Sequence, residues 1–201
     1  MSTWLLVSLI APVAADTPVE LVPRGNADQW MQTTVSTKGA AITPDAFAAA
    51  ILDGDSYPMS ASYMGVDALE VCQTLERRDD GSAVVYQRTG GNFVVKSRHY
   101  VILLQVTELT ATDARIEWDL VKHAGSAGAW QGPFASALNG SPDAVYTPYN
   151  HGYWDYDQAA GTITYAVQSN PGGSVPEWMV SEGAVMAFPL ELLDQKWGVR
   201  P

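Results

Sequence analysis

From position 66 onward the chain alternates between apolar and polar residues with a period of two, the mark of half-buried strands. Leu69, Val71, Gln73 and Leu75 share one face of such a run, with Glu70, Cys72, Thr74 and Glu76 on the other. Asp79-Asp80-Gly81-Ser82 reads as a hairpin turn into a partner strand over 83–88. A long strand is expected over 97–107, followed by a turn at 110–113. Ala114, Ile116, Trp118 and Leu120 then alternate with Arg115, Glu117 and Asp119. Residues 123–143, rich in Gly, Ala and Ser, read as irregular. An aromatic strand over 146–157 precedes Ile163, Tyr165 and Val167, which alternate with polar neighbours.

The period changes at both ends of this strand region. Residues 30–37 predict a first strand, and Thr43-Pro44 opens a short helix ending near Asp53-Gly54; Thr43 can cap it and Pro44 suits its first position. After Pro171-Gly172-Gly173, an apolar stripe of Val175, Met179, Met186, Leu190, Leu193 and Trp197 predicts a terminal helix from about Ser174 to Trp197, kinked or split at Pro189. One of the two glycines should take positive φ to turn the strand into that helix. An antiparallel sheet with one apolar face must cover it, and the terminal helix is the longest cover available.

The N-terminus restricts how much of the chain belongs to this domain. Trp4 to Ile10 is apolar and too short to span a bilayer, and Val13-Ala14-Ala15 suits signal-peptidase cleavage before Asp16, although the preceding residues lack Lys and Arg. Residues 1–15 are therefore expected to be a signal peptide, 16–28 a linker and 29–201 the domain, exported to a periplasmic or secreted location. The 201 residues suffice for one domain with a sizeable core, and 47% hydrophobic against 16% charged residues fits a folded globule. A net charge of −11, with only 11 Lys and Arg, argues against nucleic acid as a partner and against anchoring on an anionic membrane. Brief bilayer collision needs apolar surface more than charge. The single cysteine, Cys72, excludes an intrachain disulfide and a cysteine-based zinc site; a buried strand position is expected for it.

Asn170-Pro171-Gly172-Gly173-Ser174-Val175-Pro176-Glu177-Trp178-Met179-Val180 resembles the segment leading into the terminal helix of START-type lipid-transfer domains, in the START-like helix-grip superfamily. Ala184 to Pro189 looks like that helix's continuation, Gly152-Tyr153-Trp154 and Gly161 to Tyr165 look like the preceding strand pair, and Ser97 to Val101 is similar to the family's arginine-bearing strand. The resemblance covers about 40–197. It implies an α+β fold, a curved antiparallel sheet wrapped around a long C-terminal helix, with an apolar cavity for a lipid, phospholipid or sterol. In sterol-binding members a second arginine follows the first by six residues; that position is Leu104, with Val85 and Tyr86 expected across from it, so a more uniformly apolar ligand is favoured.

The cavity candidates are Tyr86, Arg98, Tyr100, Ile102, Trp118, Trp154, Met179 and Met186, with Met59 and Met64 adding an adaptable lining. Arg98 has two readings: it reaches into the cavity to hold a head group, or it pairs with Glu70 or Glu76 at the sheet edge. His99, His123 and His151 show no metal spacing, no GxSxG elbow or phosphate loop occurs, and neither a cofactor nor a catalytic residue is expected. The rival functions are a polyketide aromatase/cyclase-like enzyme, for which Arg98, Tyr86 and His99 are the clustered candidates, and a protein-interaction domain with a filled core.

Overall fold

The computed structural model describes residues 16–24, 30–58, 62–63, 66–67, 69–91, 96–170, 172 and 182–199. β1 (Met31–Ser36) precedes α1 (Pro44–Leu52) and a single turn of 3-10 helix, then the short β2 (Ser62–Tyr63) and β3 (Val66–Asp67). β4 (Val71–Arg77), β5 (Ala83–Thr89), β6 (Arg98–Leu109) and β7 (Asp113–Leu120) follow. α2 (Ala135–Asn139), β8 (Val145–Tyr146), β9 (Tyr149–Asp157), β10 (Thr162–Asn170) and α3 (Glu182–Trp197) complete the order.

Among the described residues the main sheet has eight strands, seven of them in the order β1-β10-β9-β7-β6-β5-β4 and antiparallel throughout that path. β8 adds the one parallel pairing, taking the place beside the start of β6 that β7 does not reach. Register shifts at Thr74/Glu76 and Val106/Glu108 insert bulges, which bend strands locally. The expected alternation holds best on β7, where every second residue from Ala114 to Leu120 is buried. α1 starts as its sequence predicts: the Thr43 hydroxyl accepts the Ala46 N–H at 3.2 Å and Pro44 occupies the first turn.

Both faces of the sheet are covered, which the strand pattern alone did not indicate. The inner face carries Val85, Ile102, Leu104, Ile116, Trp118, Trp154 and Tyr165, packed against Phe47 and Ile51 of α1 and Leu192 and Leu193 of α3. The terminal helix therefore shares this cover with α1. Phe47 meets Trp154, Tyr156 and Trp197 at ring separations of 6.3, 5.3 and 5.8 Å. The outer face carries Val84, Tyr86, Val101 and Leu103 beneath Phe134 and Leu138. The stretch expected to be irregular thus contains α2 and forms that cover.

Residues 16–24, expected as linker, lie along the outer face. Leu21 bridges Val121, Val22 N–H donates to Leu120 O at 2.8 Å, and Arg24 pairs with Asp119 at 2.6 Å. Val19 and Leu21 add apolar contact to the outer cluster. The sequence signal for a linker, polar residues with two prolines, is equally the signal of an extended strand-like strap. Residues 1–15, 25–29 and 174–180 lie outside the described residues, so the signal-peptide expectation and the first half of the expected terminal helix do too. The described helix is 16 residues, shorter than the expected span, and it runs unbroken through Pro189 rather than splitting there. Burial of Leu192 and Leu193 in the turn beyond the proline holds the helix together across the one bond that proline removes.

Candidate functional site

The inner face of β6, β7, β9 and β10 gathers four of the eight expected cavity residues. Tyr100, Ile102 and Leu104 follow one another on one side of β6, Trp118 projects from β7 and Trp154 from β9. Tyr165 joins them from β10, stacked on Trp118 at 5.4 Å and edge-on to Trp154 at 4.7 Å. Its strand parity with Ile163 and Val167 was legible in the sequence, yet it was not among the candidates. Burial raises the pKa of both the Tyr100 and Tyr165 phenols, with Cys72 adding to the first and Tyr100 to the second. Among the described residues, neither hydroxyl meets a hydrogen-bond partner. A mostly apolar wall with a few convergent polar groups is the usual make-up of a small-molecule site.

Trp118 is locked into this wall by two contacts. Its indole N–H donates to Asn150 Oδ1 at 2.9 Å, and its ring lies over Gly152 of the neighbouring strand. Leu104 stands in register with Ala83 and Trp118, not with Val85 or Tyr86, so its surroundings are apolar.

The two carboxylates expected as partners of Arg98 are paired with other arginines. Glu70 bonds Arg88 at 2.9 Å and Glu76 bonds Arg78 at 3.0 Å. The nearly buried Arg98 guanidinium instead donates to Lys96 O and, at 3.0 Å, to Gly172 O. It thereby ties the start of β6 to the turn after β10. Gly172 has φ +67°, as the strand-to-helix turn requires, and its N–H donates to Asn170 Oδ1 at 2.9 Å. A Cβ there would approach Pro148 Cδ to 2.9 Å. Gly172→Ala should cost about 2 kcal/mol through the left-handed backbone and this contact. Urea denaturation followed by tryptophan fluorescence checks it.

Tyr86 is corrected by the structure: it lies on the outer face, with its ring 6.0 Å from that of His99 and its hydroxyl 3.3 Å from Ser141 Oγ. The residue opposite Tyr86 across β5 and β6 is Val101, and strand alternation sends both away from the cavity wall. Met59, Met64 and Met179 lie outside the described residues, and Met186 is on α3 with its side chain not described. Cys72 is buried on the inner side, where desolvation pushes its thiol up to about 12, so it stays protonated and unreactive.

The sheet, its covering helices and the turn at Gly172 are consistent with a START-like fold. Among solved structures, human STARD10 matches with a TM-score of 0.53 at 13% identity, over 82% of this chain and 63% of that one. The likeness is one of fold. The chain spans about 63% of the length of that structure. No family model matches the chain, and no curated protein does.

Proposed function

We propose that the protein binds a hydrophobic molecule, a lipid or phospholipid ahead of a sterol, between the inner face of the sheet and the terminal helix, and performs no chemistry on it. The observation that carries this reading is the inner wall: Ile102, Leu104, Trp118 and Trp154 surround two phenols, Tyr100 and Tyr165, that lack partners among the described residues. Such a wall shields hydrocarbon from water and offers its few hydroxyls to a polar end group. The START-like fold supports the same reading. Carriage or transfer then involves transient membrane contact, and no nucleic acid or cofactor. Of the acid-base candidates for an aromatase/cyclase-like reaction, Tyr86 and His99 stand on the other face of the sheet from this wall. We also propose export, with residues 1–15 removed as a signal peptide.

Native mass spectrometry of gently extracted protein tests both parts. The expected species starts at Asp16 and carries an apolar adduct. Tyr100→Phe should weaken binding of a fluorescent fatty acid about fivefold, the value of one hydrogen bond. A wholly hydrocarbon probe should bind both forms alike. Absence of an adduct, together with no fatty-acid binding by the folded protein, would reject the lipid reading.

A further inference from the structure

On the outer side of the sheet, a cleft of about 450 Å³ opens between Gly91, Lys96 and Ser97, at the described ends of the segment that joins β5 to β6, and the loop after α2. It is lined by Arg88, Lys96, Ser97, Ser141 and Asp143, with glycines and small residues between them. The volume lies within the range of small-molecule sites, about 300–1,000 Å³. In a chain of net charge −11, two of the 11 cationic residues lie here, and the Arg98 guanidinium sits behind them on Lys96 O.

The hydrogen-bond accounting in this cleft is one-sided. Ser141 Oγ accepts from Arg88 Nη1 at 2.6 Å and from the Tyr86 hydroxyl at 3.3 Å. Both of its lone pairs are then used, and its own proton is left to donate. Arg88 Nε is bonded to Glu70, which leaves Nη2 over. Lys96 is exposed, and its ammonium has no acceptor among the described residues. Three kinds of donor, a hydroxyl, a guanidinium and an ammonium, therefore meet in one cleft, none of them bonded to the cleft's one carboxylate, Asp143, among the described residues. The contacts that hold Ser141 and Arg88 in place fix the direction of two of them in advance.

We propose that this cleft binds the oxyanion of a small phosphate ester. Donors arriving from three separate side chains suit a tetrahedral group with several acceptor oxygens better than a planar carboxylate. Asp143, on the lining and without an ion pair among the described residues, favours an amine or hydroxyl on the ester's other end. The phosphate comes either from a free metabolite or from a lipid head group, and both offer the same chemistry to Arg88, Lys96 and Ser141.

The test is a nuclear magnetic resonance and calorimetric titration of the full chain with glycerol 3-phosphate at low ionic strength. Vesicles of phosphatidylcholine with and without phosphatidic acid form a second arm. Saturable shifts are expected at Gly91, Lys96, Ser97, Gly140 and Ser141. Lys96→Gln and Ser141→Ala should each weaken binding about tenfold, as loss of one hydrogen bond to a charged group does. Circular dichroism and unchanged fatty-acid binding would show that both variants remain folded, and keep this site separate from the inner wall. Variant-sensitive binding to phosphatidic acid vesicles alone would assign the same cleft to a lipid-borne phosphate. The proposal is overturned when neither phosphate source binds, or when folded variants bind as tightly as the wild type.

Discussion

Replacing Gly152 with alanine should destabilise the protein by about 3 kcal/mol, at the upper end of ordinary overpacking. Gly152 sits inside β9 with Trp118 on one side and Val167 on the other. A Cβ at this position would lie 2.2 Å from Ala166 O and 2.4 Å from the Trp118 ring. The carbonyl belongs to a backbone held in the β9–β10 ladder and cannot retreat cheaply. The indole is fixed by its bond to Asn150 and its stack on Tyr165, so moving it exposes an unsatisfied polar pair and disturbs the inner wall. Urea midpoints of wild type and variant give the difference. Trp118→Phe should recover only part of the loss, because the contact with Ala166 O persists. A cost below about 0.5 kcal/mol, the range of a neutral surface change, would mean that neither the indole nor Ala166 O closes on this glycine.

Acid should destabilise the outer face in a window set by His99. This side chain is fully buried among Tyr86, Trp130 and Tyr146, at ring separations of 6.0, 6.1 and 5.8 Å. Desolvation, with smaller contributions from Arg88 and His123, pushes its pKa down to about 4 from 6.5. Among the described residues its Nε2 atom has no hydrogen-bond partner, and neither do Nε2 of His123 and Nε1 of Trp130 in the same cluster. The folded state therefore resists a proton that the unfolded chain takes up readily. Stability should be full above about pH 6.5, fall as pH drops, and level off below about pH 4, with a total loss of about 3 kcal/mol. His123, whose pKa is also lowered by burial, acts in the same direction. Carboxylates with depressed pKa, such as Glu117 beside Arg115 and Arg24, lose their contribution only below their ordinary range near 4.5, so the two effects separate along the pH axis. His99→Phe, which keeps the aromatic packing and removes the titration, should flatten the profile between pH 6.5 and 4. Equal slopes for variant and wild type would place the acid sensitivity elsewhere.

The candidate wall was partly legible before any coordinates. Trp118 was found because period-two alternation fixes which side of a strand a residue takes, and on β7 the apolar set is unambiguous; Tyr100 and Ile102 lie in a β6 run, Tyr100 to Leu104, that is apolar on both sides and carries no such mark. Tyr86 was misassigned because β5 is buried on both faces, and its run Ala83-Val84-Val85-Tyr86 carries no polar residue to mark the outward side. Arg98 could not be placed, because its partner, Gly172 O, is 74 residues away and is a backbone carbonyl, invisible to any pairing of charges. The phosphate cleft escaped for a similar reason: Arg88 and Ser141 are 53 residues apart and belong to no motif.

The sequence by itself determined the local features. It set the strand periods, the capped start of α1 at Thr43-Pro44 and the left-handed turn at Gly172, because each depends on neighbours within a few residues. Only the tertiary structure decided which residues meet across the sheet: the cover of the outer face by 16–24 and α2, the passage of Trp118 over Gly152, and the sharing of the inner face between α1 and α3. Those choices depend on contacts between distant segments, where burial of apolar area selects among arrangements that local preference leaves equal.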